Sequence, residues 1–342
     1  MPRSTGACCL VAALVTTPIS AGVQAQLLTV QTDRCETDDE VAIKDRMPIE
    51  QAALRFADDL RAAKVSEAYE QLTKDLKQAP AERFHEAVRP LAPYLRNLES
   101  LSVAHSYAVT SSGWKTDHTV SCSAVARGST KELQDRVFVS ARPVPKQVHF
   151  ILEGKAPNNA VWFVLWLRPD PTDWKVQGFH VTATTIVGKS ASDLVAMARE
   201  QHRKGHAFNA AVLLSGASEL AYRGRYLELG TWREIQKELK DLPLPEELRG
   251  KPPFKWQFGT SSFRILTVRA VGVDGKLALL LSRETKSADD AKSVEDENRL
   301  LIQEFAKGHR DYVEVFDVIV VEAVELRNKK TFRTVEDTRK SP

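Results

Sequence analysis

The sequence has 342 residues, which at about 150 residues per domain predicts two domains with cores of their own. Hydrophobic residues make up 43% and charged residues 27% of the chain, an ordinary globular composition that excludes collagenous, coiled-coil and wholly disordered proteins. The formal net charge is only +3, so the charge balance does not support nucleic acid or an anionic membrane as a partner.

Residues 1–25 have the pattern of a signal peptide. Arg3 precedes an apolar run of small residues, and Val23 and Ala25 are small side chains of the kind that signal peptidase accepts before its cleavage site. The run is shorter than the ~20 residues of a membrane-spanning helix. The pattern predicts an exported, periplasmic or extracellular protein with no stable membrane span after processing, and a retained anchor is the alternative.

Two cysteines remain once the leader is removed, Cys35 and Cys122. In an oxidising compartment they would form one disulfide bridge. The alternative is a buried free thiol at Cys122 and a solvated thiol at Cys35. Sequence spacing does not give the Cα–Cα distance that would decide between the bridge and the free thiols.

Residues 26–44 lack periodicity and carry clustered acidic residues, which predicts a flexible arm.

Three helices are predicted after this arm. The first has an apolar stripe that repeats every three or four residues over about four turns, with Asp45 and Pro48 as start signals. The stripe consists of Ile49, Ala53, Phe56, Leu60 and Ala63. The second helix is expected at residues 66–76 and the third at residues 81–91.

Extended runs follow the helices, separated by short polar turns that favour an antiparallel sheet. The runs are 98–110, 119–126, 147–152, 161–167 and 174–187. In residues 161–167 both faces are apolar, with Trp162 and Trp166 on one face and Phe163 on the other. Such a strand must be covered on both sides. We expect the helices on one face, and an internal pocket, the second domain or a partner chain on the other.

Three segments resemble the NTF2-like (cystatin-like cone) superfamily: residues 62–69 (AAKVSEAY), 82–88 (ERFHEAV) and 173–181 (DWKVQGFHV). The resemblance covers residues 45–189 and implies an α+β fold in which three helices and a curved antiparallel sheet form a cone. It further implies a cavity between helices and sheet, used in the family for small-molecule binding, isomerisation or dehydration, and frequent homodimer formation. It transfers no catalytic residue to this chain.

The second half of the chain is predicted to begin with a helical hairpin region at residues 190–241. Its helices, at 192–204 and 206–222, are similar to a single tetratricopeptide repeat, and another helix is expected near 232–239. A smaller α+β module follows at residues 250–327, with a hairpin turn at Asp274-Gly275, a helix that ends near Gly308 and a strand at 312–326. Residues 328–342 are predicted to be a frayed tail.

Two motifs are considered and set aside. Residues 183–190 (ATTIVGKS) fit a relaxed phosphate-loop pattern, but a β-branched run resists the required turn conformations, so Ser190 or Ser192 is interpreted as a helix cap. His202 and His206 are spaced like metal ligands on a helix, but the basic residues between them disfavour a cation. We therefore predict no metal and no cofactor.

The candidate site residues lie in the predicted cone. His149 or His180, together with Glu153, would form an acid/base pair, because an imidazole beside a carboxylate titrates near neutrality. A binding surface is predicted from aromatic and histidine side chains. It consists of Tyr69, Trp162, Trp166, Phe179 and His180.

The sequence favours a non-enzymatic binding protein whose partner is a small apolar molecule or another envelope protein. One alternative is an NTF2-like isomerase, dehydratase or hydrolase that uses a histidine. The other is a structural role in an envelope assembly, with the hairpin and the tryptophan face as the docking surface.

Overall fold

The computed structural model describes residues 34–95, 98–111, 113, 115–123, 136–156 and 159–338. The predicted signal peptide and residues 26–33 of the predicted arm lie outside the described residues, as do residues 339–342 of the predicted tail.

An N-terminal helical layer contains α1 (Ile43–Arg61), α2 (Val65–Glu70), α3 (Ala81–Val88) and α4 (Ala92–Leu95). The predicted stripe of α1 is buried from Ile49 to Leu60, but its last predicted member, Ala63, is exposed because the helix ends at Arg61. The helix begins before both predicted start signals, and Pro48 lies inside its second turn, where it removes a single backbone hydrogen bond. Helix α2 ends earlier than predicted, because the Thr73 N–H donates to the Val176 carbonyl and the chain turns toward the sheet.

The strands of the first half are β1 (Arg34–Thr37), β2 (Ser100–Thr110), β3 (His118–Ser123), β4 (Arg136–Ala141), β5 (Lys146–Ala156), β6 (Asn159–Pro169) and β7 (Trp174–Ala183). Five of them form a sheet in the order β1-β2-β5-β6-β7. Every neighbouring pair in this sheet is antiparallel, which confirms the predicted strand direction.

The interpretation of residues 26–44 as a flexible arm is corrected for the part that the structure describes. Strand β1 pairs with the end of β2, and Cys35 is joined to Cys122 of β3 by a disulfide with a Cα–Cα distance of 5.6 Å. Asp38 is buried, and its carboxylate accepts hydrogen bonds from the Ser106 backbone N–H at 2.8 Å and from the Ser106 hydroxyl at 3.2 Å. Backbone pairing and a satisfied carboxylate therefore order this acidic stretch.

The second half contains α5 (Ala191–Arg203), α6 (Ala207–Ala221), β8 (Leu227–Leu229), α7 (Gly230–Asp241), β9 (Phe254–Phe258), β10 (Ser261–Val273), β11 (Lys276–Glu284), α8 (Ala291–Gly308), β12 (Val318–Glu325) and β13 (Lys330–Asp337). The predicted hairpin helices and the Asp274-Gly275 turn are confirmed. A second sheet has the order β13-β12-β11-β10-β9, and only its β11–β12 pair is parallel.

Two expectations for the C-terminal part are corrected. The predicted strand at 312–326 begins only at Val318, because residues 310–314 form a 3₁₀ turn around the buried Tyr312. The tail predicted to fray contains β13, which pairs along its length with β12. Thr334 of β13 is buried and its hydroxyl accepts a hydrogen bond from Asn298 of α8, so the strand is also held from the helix side.

A third sheet, β3-β4-β8, connects the two halves of the chain. It pairs residues 137–139 of β4 with β8, and β4 was not predicted from the sequence. Residues 33–342 form one compact unit. Within the described part of the chain, no helix is both long and apolar enough to cross a membrane.

The two faces of β6 have different coverings, as its doubly apolar sequence predicts. Val161, Phe163 and Leu165 pack into a core cluster with the N-terminal helices. Val164, with Trp162 at its margin, packs into a separate cluster with residues of β3, β4 and β8. The second face therefore meets a small sheet, and beside it a cavity.

Candidate functional site

A cavity of about 200 Å³ lies on the β5–β6–β7 sheet. It is lined by His149 of β5, Val164 and Trp166 of β6, residues 178–180 of β7 and residues 222–226, which lead from α6 to β8. We refer to this last stretch as the 222–226 segment. The cavity thus joins side chains from both halves of the chain.

Strand register places the central side chains next to one another. His149 is opposite Trp166 in the β5–β6 pair, and Trp166 is opposite Gly178 in the β6–β7 pair. A side chain at Gly178 would collide with the Tyr226 ring, since a Cβ there would lie 2.9 Å from Tyr226 Cε2. The missing side chain lets the Tyr226 ring approach Trp166, with ring centroids 4.4 Å apart.

A second glycine brings the 222–226 segment onto β7. Gly224 has a φ of +88°, in the left-handed region that other residues rarely adopt, and a Cβ there would lie 2.8 Å from His180 Cβ. The His180 ring meets the Tyr222 ring edge-on at 5.0 Å. Both the backbone conformation and the close approach therefore require glycine at this position.

Three buried nitrogen atoms, on two residues that line the cavity, have no hydrogen-bond partner among the described residues. They are both ring nitrogens of His149 and the indole Nε1 of Trp166. The two rings are stacked, with centroids 5.6 Å apart and planes inclined by 5°. Full burial lowers the pKa of His149 from 6.5 to about 3, so at neutral pH its imidazole is uncharged and offers one donor and one acceptor.

Two arginines of the 222–226 segment line the cavity. The Arg223 guanidinium is buried, donates to the carbonyl oxygens of Leu220 and Tyr222, and lies over the Trp162 ring at 5.4 Å. Arg225 is exposed and lies 5.6 Å from the Tyr226 ring centroid. None of the described lining residues is Asp or Glu. Burial, and then the charge of Arg223, lower the pKa of His180, which is consistent with a positive local potential.

The predicted binding residues do not form one surface. Tyr69 lies on the helix side, where its hydroxyl is 3.2 Å from the Ala79 carbonyl oxygen. Phe179 borders the cavity as part of β7, but its ring packs against Phe56 at 5.4 Å and Phe84 at 5.8 Å on the helix side. These rings belong to the core cluster between helices and sheet, the space where the NTF2-like resemblance implies a cavity.

The other predicted residues lie on the opposite side of the sheet. Trp166 is 1% exposed, and its ring packs against His149 and Tyr226. Within the described ranges, its indole N–H has no hydrogen-bond partner. Trp162 contacts Arg223 and is not a lining residue.

The predicted acid/base pair is not assembled. Glu153 lies four residues beyond His149 along β5, roughly 13 Å away at the usual strand rise. Its carboxylate is 3.9 Å from Lys155 Nζ, and the residue does not line the cavity. His180 does line it, but among described lining residues it has no carboxylate neighbour.

The 222–226 segment was missed by sequence reasoning. Its sequence, YRGRY, places two tyrosines and two arginines around a glycine directly after a helix. Loops at helix ends carry functional side chains more often than the elements they connect, and this concentration of aromatic and basic residues was the available signal.

The two motifs set aside have structural roles. Ser190 caps α5: its hydroxyl accepts from the Asp193 N–H at 3.3 Å, while the Asp193 carboxylate accepts from the Ser190 N–H at 2.8 Å. The His206 Nδ1 atom is 2.9 Å from Gln201 Oε1, and His202 is exposed. Across the described ranges, no group of three or more ligating side chains is placed to hold a metal ion.

The chain was compared with models of protein families, with curated proteins and with solved structures. The fold itself is α+β with mainly antiparallel sheets. None of the three comparisons found a match for this chain.

Proposed function

We propose that this protein is an exported, non-enzymatic binding protein that holds a small organic molecule in the cavity beside His149 and Trp166. The proposal is carried by their three unpaired buried nitrogen atoms. A buried polar group without a partner costs about 1–3 kcal/mol, and native structures keep such groups rarely. A bound molecule would supply the missing partners.

The size and lining of the cavity favour a compact ligand. Its volume of about 200 Å³ is below the roughly 300–1,000 Å³ of pockets for drug-sized molecules. Val164, Tyr222 and Tyr226 provide apolar surface, and the lining residues Trp166 and His149 carry nitrogen atoms that lack hydrogen-bond partners among the described residues. This combination is typical of sites that fix the orientation of a small ligand.

The protonation states favour binding over catalysis. A general base works best when its pKa is near the working pH. Burial keeps the pKa of His149 near 3, so its imidazole is a poor proton acceptor at neutral pH. Burial, and then the charge of Arg223, also lower the pKa of His180. The carboxylate proposed as their partner, Glu153, does not line the cavity. The isomerase, dehydratase and hydrolase alternatives therefore have less support.

Export is proposed from the leader pattern and is supported by the Cys35–Cys122 bond, since such bonds persist in oxidising compartments. The NTF2-like relationship is proposed from the segment resemblance, supported by the order of helices and antiparallel strands. An envelope-assembly role that docks a partner on the tryptophan face is not favoured, because Trp166 is 1% exposed.

Native mass spectrometry of the mature protein, purified from its own cell envelope, tests the proposed function. We expect an adduct of small mass on the wild-type protein and lower adduct occupancy in Trp166→Phe, which removes the unpaired indole N–H. The matched control is Trp256→Phe, whose N–H donates to the Glu247 carbonyl outside the cavity. A wild-type protein that carries no adduct, with only water in the cavity of a high-resolution crystal structure, would contradict the proposal.

A further inference from the structure

The hydrogen-bonding inventory of the cavity contains more donors than acceptors. The Trp166 indole only donates, and Arg225 adds a guanidinium with five N–H groups. His149, His180 and the hydroxyls of Tyr222 and Tyr226 can each donate and accept. No described lining residue is a carboxylate that would use these donors. A complementary ligand is therefore rich in acceptor atoms.

Arg225 is the cationic part of this inventory. Some exposed arginines are paired with carboxylates, such as Arg199 with Glu238 at 2.9 Å and Arg299 with Glu295 at 2.7 Å. Arg225 has no carboxylate partner among the described residues, and its guanidinium lies over the Tyr226 ring at the cavity. An arginine in this position is suited to an anionic group, because its fork matches the geometry of a carboxylate.

The lining also has apolar surface, which favours an anion that carries an apolar organic group. Val164 and the rings of Tyr222 and Tyr226 offer apolar surface that an inorganic ion would leave without contact. A small carboxylic acid with an aromatic or branched body combines both properties.

We propose that the cavity binds a small organic monocarboxylate, whose carboxylate accepts hydrogen bonds from the donors of Trp166, His149 and Arg225 while its apolar body packs against Val164 and Tyr226. This inference rests on the proposed binding function. It narrows the proposed ligand from a small organic molecule to an amphipathic acid.

The indole N–H resonances report on the site directly. The chain has six tryptophans, and the Trp166 signal in a ¹⁵N–¹H spectrum is assigned with Trp166→Phe. The probes are benzoate, its neutral analogue benzamide, and inorganic phosphate. We expect benzoate to shift the Trp166 signal, benzamide to bind about tenfold more weakly, and phosphate to leave the signal in place.

Arg225→Gln removes the proposed anion partner on an exposed side chain. We expect benzoate to bind about tenfold more weakly to this variant, benzamide to be unaffected, and Arg225→Lys to recover part of the loss. The matched control is Arg327→Gln, the same charge change on an exposed residue between β12 and β13, which should leave benzoate binding unchanged.

Each contrary result has a separate meaning. Equal binding of benzoate and benzamide, with no effect of Arg225→Gln, would overturn the carboxylate inference and leave the binding function intact. A phosphate response equal to the benzoate response would overturn the requirement for an organic body. No response to benzoate at millimolar concentration would overturn the inference, whereas the binding function is judged independently by the adduct on protein from the native envelope.

Discussion

The disulfide between Cys35 and Cys122 is expected to contribute a large share of the stability. It ties the edge strand β1 to β3, and Cys122 lies in the same apolar cluster as Tyr107, Ile151 and Val164. The perturbation is the double variant Cys35→Ala/Cys122→Ala. Alanine is chosen because Cys122 is buried, and a serine hydroxyl there would need a hydrogen-bond partner.

The magnitude follows from the length of the closed loop. The sequence separation is 87 residues, which gives an unfolded-state entropy loss of about 15 cal/mol/K and a stabilisation of about 4.6 kcal/mol at 25 °C. For a cooperative unit of about 310 residues the unfolding entropy is about 0.65 kcal/mol/K, so the expected fall in Tm is about 7 °C. The fold should persist, because β1 keeps its pairing with β2.

Urea unfolding at pH 7, with and without a reducing agent, measures this contribution. We expect the oxidised wild type to exceed the double variant by about 4–5 kcal/mol in unfolding free energy, and the reduced wild type to match the variant. The reducing agent should have no effect on the variant itself. Equal urea midpoints for oxidised and reduced wild type would contradict a stabilising role for the disulfide.

Three further substitutions test individual features. Gly224→Ala should destabilise by about 2 kcal/mol, more than Gly250→Ala, because both glycines have positive φ but only a Cβ at Gly224 meets a neighbour; urea midpoints compare them. The depressed pKa of His149 means that the unfolded state takes up a proton that the folded state excludes between about pH 6.5 and 3. The wild type should thus lose up to about 4–5 kcal/mol over this range, and His149→Phe, but not His202→Gln, should remove that part of the dependence. Ser190→Ala should lower the unfolding free energy by about 1 kcal/mol through loss of the α5 cap, and equal stability would contradict that role.

The sequence predicted those elements whose pattern of apolar and turn residues spans only a few neighbouring positions. The apolar stripe of α1, the two faces of β6 and the turn at Asp274-Gly275 each depend on residues a few positions apart. Strands β4 and β8 were missed because their pairing is non-local. Strand β8 has only three residues, too few for an alternation to be recognised, and it is fixed by β4 nearly ninety residues earlier in the chain.

The candidate site was predicted in part, for a reason that strand geometry explains. Phe179 and His180 are neighbours on β7, and successive side chains on a strand point to opposite faces. The two rings therefore cannot belong to the same surface, although both were predicted to bind the ligand. The structure places the Phe179 ring on the helix side of the sheet. The family resemblance placed the cavity on the helix side, whereas His149 and Trp166 lie at a cavity completed by the 222–226 segment.

The two faces of β6 contribute differently to folding. The helix-side face packs apolar side chains such as Phe163 and Leu165, and this burial favours the folded state. On the other face of the sheet, the nitrogens of Trp166 in β6 and His149 in β5 lack partners among the described residues, which opposes folding by about 1–3 kcal/mol each. Net stabilities are only about 5–15 kcal/mol, so this opposition is substantial. The disulfide stabilises the sheet that covers this face by a comparable amount, and a ligand that pairs the nitrogens stabilises the same closed arrangement.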